Sequence, residues 1–319
     1  MINSDLLKKE IIKLKKEKNV LLLAHYYQNE DIQDIADFVG DSYNLSLIAS
    51  KTDFPIILLC GVHFMAETAK ILNPTKKVLL PDINAGCSLA SSCEYDEFKT
   101  FKEKYPNAIV VSYINCTAEI KTLSDIICTS SNAIDIINSI PLEKQIIFTP
   151  DKNLGNYLKI KTGRNLILWD GVCIVHEAFS FNKILTLFLE HPKSKIVAHP
   201  ESNEEVLKMA HFIGSTTAMI NYIKNDESDS FIIATEAGIL HQLNKEIKNK
   251  TLIPAPINED NTCSCSECAF MKVNTLEKVL NTLKFESPEI ILSDNIIEKA
   301  EIPLKRMMEI CSSKSKVNV

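Results

Sequence analysis

The chain has 319 residues, enough for two or three domains of about 100 residues each. Apolar residues make up 45% and charged residues 24%, an ordinary globular balance that excludes a disordered chain. The net charge of −6 argues against nucleic acid or an anionic membrane as partner. The N-terminal stretch MINSDLLKKEIIKLKKEKN is a lysine-rich amphipathic helix pattern without the apolar core of a signal peptide. No apolar run reaches the roughly 18–20 residues that span a bilayer, so a cytoplasmic protein is expected. In a reducing compartment the ten cysteines are not a disulfide framework.

Three segments then repeat one pattern. They are LLLAHYYQNEDIQDIADFVGDSYN from Leu21, IVVSYINCTAEIKTLSDIICTSSN from Ile109 and KIVAHPESNEEVLKMAHFIGSTTA from Lys195. His25, Tyr113 and His199 are equivalent points, 88 and 86 residues apart. Each block opens on a buried-strand pattern and passes a capping residue four positions after the anchor: Asn29, Thr117 or Asn203. A helical period follows, through Ile32–Val39, Ile120–Ile127 and Val206–Ile213. It stops at hydroxyl clusters around Ser42, Ser130 and Thr216, all 17 residues past the anchors.

Second strands are expected at 56–60, 146–149 and 231–235, and third strands at 77–82, 165–170 and 250–255. Strands alternating with helices imply parallel sheets covered on both faces. The expected fold is α/β: three similar three-layer, parallel-sheet domains in a pseudo-threefold arrangement around a central cavity. The expected boundaries are 1–86 plus 270–319, 87–172 and 173–269. The tail has helix, strand and helix character and would complete the first domain.

Ligands of parallel sheets bind outside the carboxyl ends of the strands. The anchors and the residues two beyond, Tyr27, Asn115 and Glu201, therefore share one edge in every repeat. The hydroxyl clusters would open helices suited to carboxylate or phosphate. Each repeat also ends near cysteine: Cys87, then Cys173, then the group Cys263, Cys265 and Cys268. A zinc knuckle, a zinc-stabilised scaffold and an iron–sulfur cluster with one open iron are all compatible with these thiols. The open iron would suit dehydration chemistry.

The motifs HYYQ at 25–28, GDS at 40–42, SYIN at 112–115, CTSSNA at 128–133, WDGVCIVH at 169–176, AHPE at 198–201, GST at 214–216 and CSCSEC at 263–268 together resemble the quinolinate synthase family. The resemblance runs from about residue 20 to the C-terminus. It implies condensation of iminoaspartate with dihydroxyacetone phosphate to quinolinate, with loss of phosphate and two waters, in NAD biosynthesis. It implies a [4Fe–4S] cluster held by Cys87, Cys173 and Cys268, the last followed by Ala269 where the family usually has proline. Tyr27 and Glu201 would be acid/base groups, and His176 and His199 would bind or protonate departing oxygens. His25, Ser42, Tyr113, Asn115, Ser130, Ser215 and Thr216 would hold the carboxylates and phosphate. Iminoaspartate could be handed on by an aspartate-oxidising enzyme. Two other readings differ in testable ways: a redox enzyme with one cysteine per domain needs an electron donor, and a zinc scaffold needs no substrate.

Overall fold

The computed structural model describes residues 4–258 and 266–315. Twelve strands form three four-stranded, wholly parallel sheets. The first holds β1 (Val20–His25), β2 (Phe38–Gly40), β3 (Ile56–Cys60) and β4 (Lys77–Leu79), in the order β2-β1-β3-β4. The second holds β5 (Ile109–Tyr113), β6 (Ile126–Cys128), β7 (Ile146–Thr149) and β8 (Leu166–Leu168), in the order β6-β5-β7-β8. The third holds β9 (Lys195–Ala198), β10 (Phe212–Ile213), β11 (Ser230–Ala234) and β12 (Thr251–Pro254), in the order β10-β9-β11-β12. One topology is thus built three times from strands that alternate with helices.

The central strands are runs of Leu, Ile and Val because helices cover both of their faces. Every residue of β1 and β7 is buried. Leu21 and Leu23 face a core shared with Ile57, Val111 and Phe148. Leu22 and Ala24 face the opposite layer with Leu58 and Leu79. Thr117 and Asn203 cap their helices by accepting the N–H of Ile120 and Val206. Asn29 makes no such cap; its Nδ2 donates to the Asn274 carbonyl instead, at 3.3 Å.

Two expectations are corrected. The first helical period in each block ends early, at Ile35, Thr122 and Met209. Val39, Ile127 and Ile213 lie instead on the short strands β2, β6 and β10. Three-residue strands beside a helix are indistinguishable from its last turn by periodicity alone, and pairing with the first strand of the repeat decides the matter. The tail strand is also absent: Glu289 makes only an isolated antiparallel bridge to Leu79. The helix Leu276–Phe285 packs on Ser4–Glu17, but the helix Asp294–Ser315 lies chiefly against Ala118–Thr122 and β6, and secondarily on His63–Leu72. The tail therefore bridges two repeats. No helix among the described residues is long and apolar enough to cross a membrane.

Candidate active site

The carboxyl ends of the three sheets surround a single cavity. From the first repeat it is lined by His25, Tyr27, Ser42 and Cys87. The second contributes Tyr113, Asn115, Ser130, Cys173 and His176, and the third His199, Glu201, Thr216 and Cys268. Of the side chains singled out in the sequence, Ser215 alone lies outside this lining. Its Oγ caps the helix Thr216–Asn225 by accepting the Ala218 N–H, and it lines the adjoining outer cleft. Ser130 and Asp41 line both spaces. Cys263 and Cys265 lie outside the described residues.

The three cysteines occupy equivalent positions. Each is the residue before a four-residue helix: Ser88–Ser91 after Cys87, Ile174–Glu177 after Cys173, and Ala269–Lys272 after Cys268. The carbonyl two residues before each cysteine is bonded in the same way. His63 N–H donates to Ala85 at 2.6 Å, Lys152 N–H to Gly171 at 2.8 Å, and Ala237 N–H to Ser266 at 3.0 Å. This recurring bond gives Cys268 the same main-chain setting as Cys87 and Cys173. Burial raises all three thiols above the usual range, Cys87 to about 12. Thiols that are costly to ionise alone in an apolar wall suit a soft cation, which deprotonates its ligands on binding.

Histidine geometry repeats as well. His25 Nδ1 accepts the Tyr27 N–H at 3.2 Å, and His199 Nδ1 accepts the Glu201 N–H at 3.4 Å. A ring nitrogen that accepts from the backbone carries no proton, so each ring's donor is Nε2–H. Burial lowers both histidines to about 3, and they are neutral donors at physiological pH.

Glu201 is 3% exposed and its carboxylate gathers three groups, Tyr113, His176 and His199. Tyr113 donates to its Oε1 at 2.5 Å, and His176 Nδ1 lies 3.3 Å from its Oε2. Burial works against its charge, but His176 and His199, with the hydrogen bonds from His176 and Tyr113, outweigh burial and hold it at about 2. An ionised Glu201 can only accept, so His176 presents Nδ1–H to it, with Cys173 Sγ equally near that nitrogen at 3.3 Å. His176 Nε2 then accepts from Thr235 Oγ1 at 3.0 Å, and Thr235 Oγ1 accepts from Tyr27 at 2.7 Å. One directed chain, Tyr27–Thr235–His176–Glu201–Tyr113, links all three repeats. Burial above all raises Tyr27 and Tyr113 well above the usual phenol range, so both keep their protons. The thiol of Cys173 and the His176 and Glu201 donors lie within 4.8 Å of one another.

The profile of the quinolinate synthetase A protein family matches residues 9–309. A protein of Gloeothece citriformis named quinolinate synthase is 58% identical over 299 residues, covering 94% of this chain and 92% of its own. Those of Microcystis aeruginosa and Trichodesmium erythraeum, under the same name, are 56% and 55% identical. Each covers 94% of this chain, and 93% and 92% of its own length respectively. The chain belongs to the quinolinate synthetase A family. It is an enzyme.

Three site residues of this family member were not read from its sequence. Thr235 enters the sequence reading only as the end of the strand at 231–235, and Asp151 and Glu236 do not enter it at all. Both acids are 1% exposed. The legible signal was positional: all three stand one or two residues past a third-in-order strand, on the edge that carries the other site groups.

Proposed function

We propose that the enzyme makes quinolinate from iminoaspartate and dihydroxyacetone phosphate, releasing phosphate and two waters, with a [4Fe–4S] cluster as cofactor in NAD biosynthesis. The observation that carries this reading is the threefold repetition of one cysteine environment around a cavity that also holds a continuous proton chain. Cys87, Cys173 and Cys268 would hold the cluster: three thiolates, one per repeat, fit an iron–sulfur group better than the four-ligand closed shell of structural zinc. When bound, the cluster supplies a Lewis-acidic iron without a protein ligand for dehydration.

The chain's own residues do the rest. His25 and His199 offer Nε2–H, and Ser42, Asn115, Ser130 and Thr216 offer hydroxyl or amide groups, to substrate carboxylates and phosphate. Neutral donors and helix N-termini bind anions without the strong grip of arginine, which favours product release. Tyr27 is the proton donor to a departing oxygen. In doing so its O–H turns from Thr235 to that oxygen, and the phenolate left behind regains a proton from solvent between turnovers; ionised Glu201 holds His176 with Nε2 as acceptor, so the resting chain runs from Tyr27 toward Glu201, the order of groups used by hydrolase triads. Glu201, freed from Tyr113 by substrate, is the base for carbon-bound protons. Ser215 shapes the cavity mouth by capping its helix.

Anaerobic purification with iron, sulfide and zinc analysis tests the reading. About four irons per chain are expected, lost in Cys87→Ser, Cys173→Ser and Cys268→Ser and retained in Cys93→Ser. Zinc in place of iron, or iron-free protein that still forms quinolinate, overturns it. Turnover without a reductant separates it from redox enzymes of similar layout.

A further inference from the structure

Ladder register aligns the repeats beyond their cysteines. Cys60, Thr149 and Ala234 pair with the equivalent residues Ala24, Ser112 and Ala198. Two residues further on stand Val62, Asp151 and Glu236. The first repeat shows that an apolar side chain serves the fold here. The other two bury a carboxylate instead, a costly choice unless its oxygens are bonded.

Their bonds lead to the cysteines. Asp151 Oδ1 accepts the Leu154 N–H at 2.7 Å, capping its helix, and Oδ2 accepts the Cys173 N–H at 3.1 Å. Glu236 Oε2 accepts the Gly238 N–H at 2.7 Å, and Oε1 accepts the Cys268 N–H at 3.0 Å. Lys272 lies 3.3 Å from Glu236 Oε1 and donates to the Tyr27 carbonyl at 3.0 Å. Each carboxylate thus ties the start of the following helix to the main chain of a cysteine, and Glu236 also reaches the loop of Tyr27 through Lys272.

We infer that Asp151 and Glu236 are positioning residues that hold Cys173 and Cys268 with their thiols aimed at the shared cavity, so that the cluster site is formed before iron enters. The inference rests on the cluster reading above. A main chain clamped on both sides of the thiol leaves its side-chain torsion as the main freedom, and the ordering cost of binding falls accordingly. Among the described residues no carboxylate accepts the Cys87 N–H, and with Val62 in that place its loop is held by main-chain bonds: from His63 to Ala85, and within the loop from Ala85 to Asp82 and Gly86 to Asn84.

The test uses the full chain with its cluster assembled anaerobically, challenged with a ferrous-iron chelator while the cluster absorbance is followed. Glu236→Val copies the first repeat. Asp151→Ser keeps a helix-capping hydroxyl but is too short to serve Cys173 as well. Both are expected to lose iron about 10–100-fold faster than the parent, the range for groups that orient metal ligands. Glu236→Gln, isosteric but with one acceptor oxygen in place of two, is expected to fall between, and its iron-free form to melt with the parent. Glu236→Val and Glu236→Gln that fold and release iron at the parent's rate overturn the inference and leave the cluster reading standing. A parent that binds no iron overturns both.

Discussion

Glu201→Gln isolates charge from shape. The amide fills the space of a carboxylate that is 3% exposed and can still accept from Tyr113 through its oxygen. Its nitrogen, however, would face His176 Nδ1, now 3.3 Å from Oε2, and donor would meet donor unless the ring changes tautomer. Either outcome breaks the direction of the chain to Thr235 and Tyr27. Loss of an acid/base group lowers turnover by about 10²–10⁴-fold. Tyr113→Phe removes the 2.5 Å bond to Glu201 and the hydroxyl's contact with Ser130 while keeping the ring and every charge. A hydrogen bond to a charged group contributes about 1.5–3 kcal/mol, equivalent to about 10–150-fold in rate if all of it is felt at the transition state. The expected order is therefore parent, Tyr113→Phe, Glu201→Gln. Anaerobic quinolinate assays with iron content matched across the variants measure it. Folding is not at risk in Glu201→Gln, because a neutral amide is cheaper to bury than a charge. A Glu201→Gln enzyme with parental kcat and full iron would refute the assignment of Glu201 as the charged end of the chain.

Two further outcomes follow from the same geometry. His25 and His199 are lowered to about 3 by burial, so as pH falls below about 6.5 the unfolded chain takes up protons that the folded one refuses. Folded stability is therefore full above that value and is lost progressively toward pH 3, by about 1.4 kcal/mol per pH unit for each histidine. Glu201, held low, loses its contribution only as pH falls below 4.5, whereas Glu236, raised to about 6, and Asp151, raised as well, take up protons in the folded state and offset part of the histidine loss between pH 6 and 5. Urea melts of iron-free protein at pH 7.5 and 5 are expected to show the parent losing more stability, or gaining less, on acidification than a His25→Asn/His199→Asn variant; parallel pH profiles would contradict the burial argument. At Gly238 a Cβ would sit 2.8 Å from Tyr27 Cα and 2.9 Å from its carbonyl carbon, contacts with main chain that cannot swing aside. Gly238→Ala is expected to destabilise by about 1–3 kcal/mol and to cut activity by displacing Tyr27, with an unchanged melt and rate as the contrary result.

Much of the site was visible before any coordinates because a repeat of 86–88 residues converts scattered residues into equivalents. His25, Tyr113 and His199 could be aligned, and the strand-end rule sent them to one edge. The short strands β2, β6 and β10 were hidden, since two or three apolar residues after a helix satisfy its period equally well. Thr235, Asp151 and Glu236 carried no motif. The role of Thr235 comes from what lies across repeat boundaries, Tyr27 and His176, and the roles of the two acids from a cysteine main chain 22 and 32 residues further along.

Local order alone thus determined three strand–helix units, the side of each sheet that bears the chemistry, and the identity of Cys87 and Cys173 as equivalents. Tertiary structure gave Cys268 the same main-chain setting as these two, through the bond from Ala237 to Ser266. It also decided the charge states, leaving Glu201 ionised while His25 and His199 are neutral. The physical reason is range. Periodicity and capping act over a few residues along the chain, whereas desolvation and hydrogen bonding between residues such as Tyr113 and Glu201, 88 positions apart, exist only once the three sheets have closed on one another.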